Sequence, residues 1–521
     1  MTPIYDVVII GYGPVGMVAA ALLGRAGHRV AVFERYQTFY NLPRAATFDH
    51  EVMRVLQALG CVEDILPGTL VWTTYEWVNG AGDLLIKHVM SPESISGWAE
   101  NYLMYQPTLE DALHRAVLRL DTVEIHQGWR AIELVQHADR VDVTVERVEG
   151  VGLRPTGERK QVSGRFLLGC DGGNSFVRQA CGIRSEDLGF RERWLVCDFK
   201  IKRPVDLPLA RQLCDPAQPG VMIQLGPAHR RFSFMILPGE TVEEAVAPAN
   251  VWRRVSRWVT PDDLELIRSV SYTFQSLIAE RWRDGRVFLV GDAAHQMPPF
   301  LGQGMCSGIR DAANLAWKLD LVLKGQAAEA LLDSYMSERE PHVRAITLTA
   351  IELGKIQTMR DPEAARRRDA ELIGKRMAKG QEAAVERIEY PRLETGIIDR
   401  SLPGAGELFI QARVRSGDRE GLFDDVVGRG FVMLALDGAP QDSLSASQRC
   451  FWQHIGGLLV RIDRRAGATG VQDLQGKYTR WFDEHGCVAV IVRPDFYVYG
   501  GLRSWRELPD AVDALQRRLQ P

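Results

Sequence analysis

Apolar positions run almost unbroken from Val7 to Gly24, eighteen residues without a charge. That length approaches a membrane-spanning helix, yet Gly11, Gly13, Pro14 and Gly16 interrupt the run early. The pattern therefore reads as a buried strand over 6–10, a turn, a helix over 16–25 ending near Gly27, and a second strand over 29–33 closed by Glu34. The same strand-then-turn order returns in GRFLLGCDGGNSFVR (164–178) and RVFLVGDAAHQMPPFLGQGM (286–305), the latter leading into a helix through Asp311 and Leu315. Period-two alternation in WLVCDFKIK (194–202), VMIQLG (221–226) and RRFSFMIL (230–237) predicts an antiparallel sheet within 190–282.

Residues 361–390, rich in alanine and charge, predict a solvent-exposed helix with i,i+4 ion pairs. RSLPGAGELFIQARV (400–414) marks a boundary. Beyond it FVMLAL (431–436), GLLVRID (457–463) and CVAVIVRP (487–494) read as strands and SWRELPDAVDALQRRL (504–519) as a helix.

At 521 residues the chain exceeds one ordinary core and predicts two or three domains. Apolar residues make up 46% and charged residues 25%, as in soluble globular proteins. A net charge of −4 carries no basic field for nucleic acid or an anionic membrane, so a small-molecule partner is expected. The eight cysteines form no Cys-x-x-Cys pair and no zinc spacing, which fits free thiols in a reducing cytoplasm, and no metal is expected. MTPIYD has no positive n-region before the apolar run, so no export signal is expected.

Gly11, Gly13, Pro14, Val15 and Gly16 form a G-x-G-x-x-G turn between strand and helix. The first glycine permits the turn, the second lets backbone approach a pyrophosphate, and the third lets helix and strand pack closely. Free N–H groups at the helix start attract the anion. Glu34, followed by Arg35, stands where an acid accepts bonds from ribose hydroxyls. Asp171 and Asp292 likewise end apolar strands, where a ligand hydroxyl can sit. His295 could shuttle protons and Cys306 could carry a lowered thiol pKa, but satisfied scaffold and packing roles are the expectation for both. Met297, two residues after His295, invites the same weighing.

GYGPVG with Glu34, then CDGGNSFVR, then GDAAHQMPPFLGQGM resembles the class A flavoprotein aromatic monooxygenases of the para-hydroxybenzoate hydroxylase type. Within them the chain is most similar to the 3-(3-hydroxyphenyl)propionate hydroxylase group, through NLPRAATFDHEVMRVLQALG (41–60), YQPTLEDAL (105–113) and GQGMCSGIRDAANLAWKLDLVL (302–323), over residues 4–345. The resemblance implies an α/β fold: a Rossmann-like FAD-binding domain over 1–185 and 284–345, with part of the substrate domain interleaved around 70–105. It further implies an antiparallel substrate-binding sheet over 186–283, a helical linker over 346–399 and a thioredoxin-like C-terminal domain over 400–521. Lacking Cys-x-x-Cys, that last domain is expected to be structural or interfacial.

By the same resemblance Arg44 lies near the FAD pyrophosphate, and Gln106 and Asp292 beside the ribityl chain. Asp171 serves FAD and the nicotinamide, and Pro299, Gly302, Gln303, Gly304 and Met305 present a helix start to the flavin. Gln224, Phe232, Phe234, Met235 and Pro298 are candidates for the substrate pocket. The implied reaction consumes NADH or NADPH as a transient reductant and O₂ as co-substrate. Hydride passes to tightly bound, non-covalent FAD, O₂ reacts at C4a, and one oxygen atom enters an aromatic, phenolic substrate. No catalytic side chain is identified. Epoxidation or Baeyer–Villiger insertion on a polyketide-like substrate is the alternative, and a non-catalytic flavin-binding module a third reading. A cytoplasmic homodimer is expected.

Overall fold

The computed structural model describes residues 4–39, 42–150, 152–378, 390–463 and 470–520. Asn41, at the head of the NLPRAAT motif, and residues 379–389, at the end of the expected 361–390 helix, lie outside them.

Strand Tyr5–Ile10 (β1), helix Pro14–Arg25 (α1) and strand Val30–Glu34 (β2) form a βαβ unit, with β1 and β2 parallel from Val7 opposite Val30 to Ile10 opposite Phe33. The helix begins two residues before the sequence pattern places it, because Pro14 has no N–H to lose in a first turn. Strand Val123–Gln127 (β3) extends the sheet beyond β2, while Arg154–Gly169 (β4) and Val287–Leu289 (β5) extend it on the other side of β1, in the order β5-β4-β1-β2-β3. These neighbours are parallel, and Ile10, Gly169 and Leu289 lie side by side in register. The turns following residues 10, 169 and 289 therefore emerge along one edge, at the carboxyl ends of the strands where ligands of open α/β sheets bind.

A second sheet of eight strands runs His295–Gln296, Leu264–Ala279, Ser185–Ile201, His229–Met235, Gly220–Leu225, Ala210–Cys214, Thr74–Asn79, Leu84–Val89. One face packs under the short helices Val242–Val246 and Pro248–Val255, through Phe199, Phe232, Phe234, Trp252 and Trp258. The other face carries Trp194, Ile223, Leu225 and Met235 against Phe190, Phe300 and Ile351. Since Phe300 belongs to the loop before helix Gly304–Leu323, this second face looks toward the edge described above. Pocket roles for Phe232 and Phe234 are thus corrected: period two turns them away, with Met235 alone of the three on the inner face. Gln224 shares the outer parity and accepts from Arg230, 3.0 Å away, so it too leaves the pocket.

The C-terminal sheet of seven strands centres on Val432–Leu436, parallel to Leu458–Asp463 and antiparallel to Ala489–Val492, with Val498–Leu502 at its edge. Its Phe431, Met433 and Ile491 belong to the same buried cluster as Val7 and Leu289, so one core runs through both ends of the chain. Helix Pro362–Ala378 is docked rather than wholly exposed: Arg368 is buried and donates to the carbonyls of Ile356 and Cys214.

Candidate functional site

Each glycine of the first turn has a distinct surrounding. A Cβ on Gly11 would lie 2.3 Å from the Cys170 carbonyl oxygen, and its φ of 102° suits glycine alone. On Gly16 a Cβ would lie 2.1 Å from the Gly11 oxygen, whereas on Gly13 it would meet nothing within 4 Å. Gly11 and Gly16 close the turn, and Gly13 leaves space in front of it. Val15 packs behind, against Gly291 and Gly308.

That space is a crevice of about 420 Å³ lined by Gly11, Gly13, Pro14, Glu34, Arg35, Arg44, Gln106 and Asp171 among others. It brings together residues expected as cofactor ligands from four distant segments. Glu34 accepts from the backbone N–H of Tyr12 (2.8 Å) and of Tyr36 (3.0 Å), which aims its carboxylate across the turn. Gln106 opens helix Gln106–Leu118 and accepts from the N–H groups of Arg44 (3.0 Å) and Ala45 (2.6 Å), so it fixes the backbone that carries Arg44 into the crevice. The Asp171 carboxylate is engaged from within, accepting from Ser175 Oγ at 2.5 Å and Val177 N–H at 3.1 Å. Burial pushes its pKa up against those bonds. Arg178 joins this turn to the next, donating to the carbonyls of Gly173 and Ala293 at 2.8 Å.

Asp292 stands exposed in the turn after β5, yet the protein packed around its carboxyl raises its pKa, opposed by the charges of His295 and Arg44. His295 itself is buried and sits 2.6 Å from Asp311, whose carboxylate also accepts from Gly291 N–H and Arg339 Nε. Through Nε2 it ties the Asp292 turn to Asp311, while its Nδ1 is buried with no hydrogen-bond partner among the described residues. Burial raises the Cys306 thiol well above its ordinary value, so it stays protonated and inert.

Helix Gly304–Leu323 starts without a side-chain cap or an acid in its first turn, leaving N–H groups free to meet negative charge. Before it, Pro299 is exposed, Pro298 buried, and Gly302 takes φ 66°, where a Cβ would lie 2.4 Å from Thr47 Oγ1. Gln303 gives this helix no side-chain cap. Its side chain turns inward, donating to Asp49 (3.1 Å) and the Tyr390 hydroxyl (2.9 Å) and accepting from Arg310 (2.9 Å). Only its backbone remains on the site side.

Sequence reading missed a buried cluster that shapes the same crevice. Asp198 lies directly across from Arg231 on one strand and Arg268 on the other. Both guanidiniums bind its carboxylate, at 2.7 and 2.6 Å. They then reach out to the carbonyls of Pro43 and Arg44. The available signal was a charged residue at inward parity in WLVCDFKIK and RRFSFMIL.

Residues 4–350 match the family model described as FAD binding domain, and residues 406–518 the one described as HcaD C-terminal domain. The chain is 46% identical to the probable NADH-specific resorcinol 4-hydroxylase of Rhodococcus jostii (strain RHA1), covering 99% of this chain and 95% of that one. It is 35% identical to the 3-(3-hydroxy-phenyl)propionate/3-hydroxycinnamic acid hydroxylase of Mycobacterium sp. (strain JLS), over 98% and 91%. Among solved structures it matches the flavin-dependent monooxygenase PieE in complex with FAD and substrate, with TM-score 0.81, 23% identity and 99% of each chain covered. It also matches aklavinone-11 hydroxylase in complex with FAD and aklavinone, with TM-score 0.77, 22% identity, and 100% and 99% covered.

Proposed function

Because the chain belongs to the class A flavoprotein aromatic monooxygenases, an FAD-dependent family of enzymes, we propose that it hydroxylates a small phenol of the resorcinol type at the expense of NADH. The observation that carries the reading is the open space in front of Gly13, bordered by Glu34, Arg35 and Arg44. These residues fit FAD: a carboxylate for ribose hydroxyls, two cations and bare backbone for a pyrophosphate, and Asp292 for a polyol chain. The uncapped start of Gly304–Leu323 suits the pyrimidine end, where negative charge accumulates. When bound, FAD supplies hydride acceptance and oxygen activation.

The rest falls to side chains. Phe190, Trp194, Phe274 and Phe300 stand ring against ring at 5.5 to 6.5 Å, forming an aromatic wall with Met235 on the inner sheet face. Such a wall excludes water and takes a flat ring. The Trp194 Nε1–H is buried with no acceptor among the described residues, and serves as a donor to a phenol oxygen. The relative that is 46% identical is named for resorcinol and NADH, which supports a compact dihydroxybenzene and that reductant. A cytoplasmic homodimer belongs to the same reading. Light scattering on a sizing column reads the oligomer.

Purified protein loaded with FAD is incubated with O₂, NADH or NADPH, and a series of phenols. Resorcinol should accelerate NADH consumption well above the ligand-free rate and yield a product one oxygen atom heavier with its ring intact. Stoichiometric H₂O₂ without product, or a ring-expanded lactone, would refute the proposal.

A further inference from the structure

The C-terminal sheet has no part in the chemistry above, yet one of its turns enters the flavin-binding half. Between Ala489–Val492 and Val498–Leu502 the chain reverses through Phe496, whose φ of 71° is a costly left-handed conformation for a bulky side chain. The reversal sets the Phe496 ring 4.2 Å from the Arg54 guanidinium and brings the Tyr497 hydroxyl within 2.9 Å of Glu51 Oε1.

From there a continuous chain of polar contacts leads to the site. Glu51 lies in the first turn of helix His50–Leu59, and its Oε2 accepts from Arg310 Nε at 2.5 Å. Arg310 donates through Nη2 to Asp49 at 2.5 Å and through Nη1 to Gln303 Oε1 at 2.9 Å. Gln303 immediately precedes Gly304, at the start of the helix aimed at the flavin, and its side chain is spent on these partners rather than on capping. Tyr497, Glu51, Arg310, Asp49 and Gln303 are each at most 5% exposed. Away from water such bonds are stronger and polarise one another, so losing one is felt along the series.

The geometry points to Tyr497 as a positioning residue: through Glu51 and Arg310 its hydroxyl holds Gln303 and with it the start of the flavin-facing helix, so the C-terminal module tunes the affinity and reduction of FAD. The inference rests on the reading that this helix start meets the cofactor. It gives the C-terminal module a role that needs neither a dithiol nor a partner chain. A joint that merely stiffens the protein would raise unfolding temperature and leave the flavin's properties alone.

Tyr497→Phe removes one hydroxyl and keeps the ring. In the holoenzyme the FAD dissociation constant should rise about threefold to tenfold, and the reduction equilibrium of bound FAD against a reference dye should shift toward the oxidised form by about the same factor. Tyr499→Phe removes a buried hydroxyl two residues away that has no hydrogen-bond partner among the described residues, and should change neither quantity. Glu51→Gln should act in the same direction, and adding Tyr497→Phe to it should change either quantity less than about twofold further. Should Tyr497→Phe fold poorly, Glu51→Gln alone reads the same two quantities. Wild-type values in Tyr497→Phe or in Glu51→Gln, an equal effect of Tyr499→Phe, or independent multiplication in the double variant would overturn the relay. Asp292→Ala separates the layers. Lost FAD there with an unaffected Tyr497→Phe sinks the relay and keeps the site, whereas retained FAD sinks the site reading and the relay with it.

Discussion

Gly13 and Gly16 are three positions apart and fail for opposite reasons when given a side chain. A Cβ on Gly13 enters open space, so Gly13→Ala should fold normally while FAD affinity drops about tenfold, the cost of displacing one backbone contact to an anion. Gly16→Ala drives a methyl to 2.1 Å from a backbone oxygen, and should destabilise even the cofactor-free protein by about 3 kcal/mol. Thermal unfolding of both apoproteins, with fluorescence titration of FAD, distinguishes them; equal unfolding temperatures would contradict the assignment. The glycine spacing was legible because the turn is a local geometry. The direction of Gln303 was not, since its partners Asp49, Arg310 and Tyr390 lie 254, 7 and 87 residues away and only the assembled core turns it inward.

Strands and helices set the next level of constraint. Alternation in RRFSFMIL correctly announces a strand with two faces, but period two says nothing about which face meets the cofactor. That choice was made by helix Pro248–Val255, which carries Trp252, and by Trp258 in the turn after it, which cover Phe199, Phe232 and Phe234 and leave Arg231 and Met235 inside. The strands bearing Asp198, Arg231 and Arg268 are joined in register, so their charges neutralise only in pairs across the sheet. One carboxylate there serves two guanidiniums, with carbonyls of the 42–46 loop completing their bonds. Asp198→Asn should therefore cost about 3–5 kcal/mol, because two buried cations lose their charge partner. Denaturant unfolding measures the loss. A difference below about 1 kcal/mol would mean the arginines find solvent instead, and with it that the Pro43–Arg44 backbone is not held from the sheet.

At the scale of the whole molecule, the C-terminal module meets the helices at 304–357 across buried charge. Glu338 on helix Ser334–Gln357 accepts from Arg493 (2.7 Å), Lys318 (2.8 Å) and Asn314 (2.7 Å), and Asp495 closes the cluster. Burial alone pushes the Glu338 carboxyl up, but Arg493 and Lys318 outweigh it and hold it below the ordinary glutamate range. A depressed acid stabilises the fold fully above its unfolded pKa and loses that contribution as pH falls through the folded value. The stability gap between wild type and Glu338→Gln, about 3–5 kcal/mol at pH 7, should thus shrink as the pH is lowered from about 4.5. A gap that stays constant to pH 3 would deny the pairing. The same cluster bears on whether the C-terminal module is detachable. Phe431 stacks edge-on against Trp317 at 5.5 Å, and Arg493 lies over the other side of the joint at 5.3 Å from that indole. Removing everything after residue 400 would strip Glu338 of its strongest cation and leave Lys318 buried with a weakened partner. It would also open an apolar face that belongs to the common core. Such a fragment should aggregate or fail to retain FAD, and the intact protein should unfold in one calorimetric transition rather than two. Soluble, yellow 1–400 protein, or two separated transitions in the full chain, would show that the flavin-binding half stands without its C-terminal buttress.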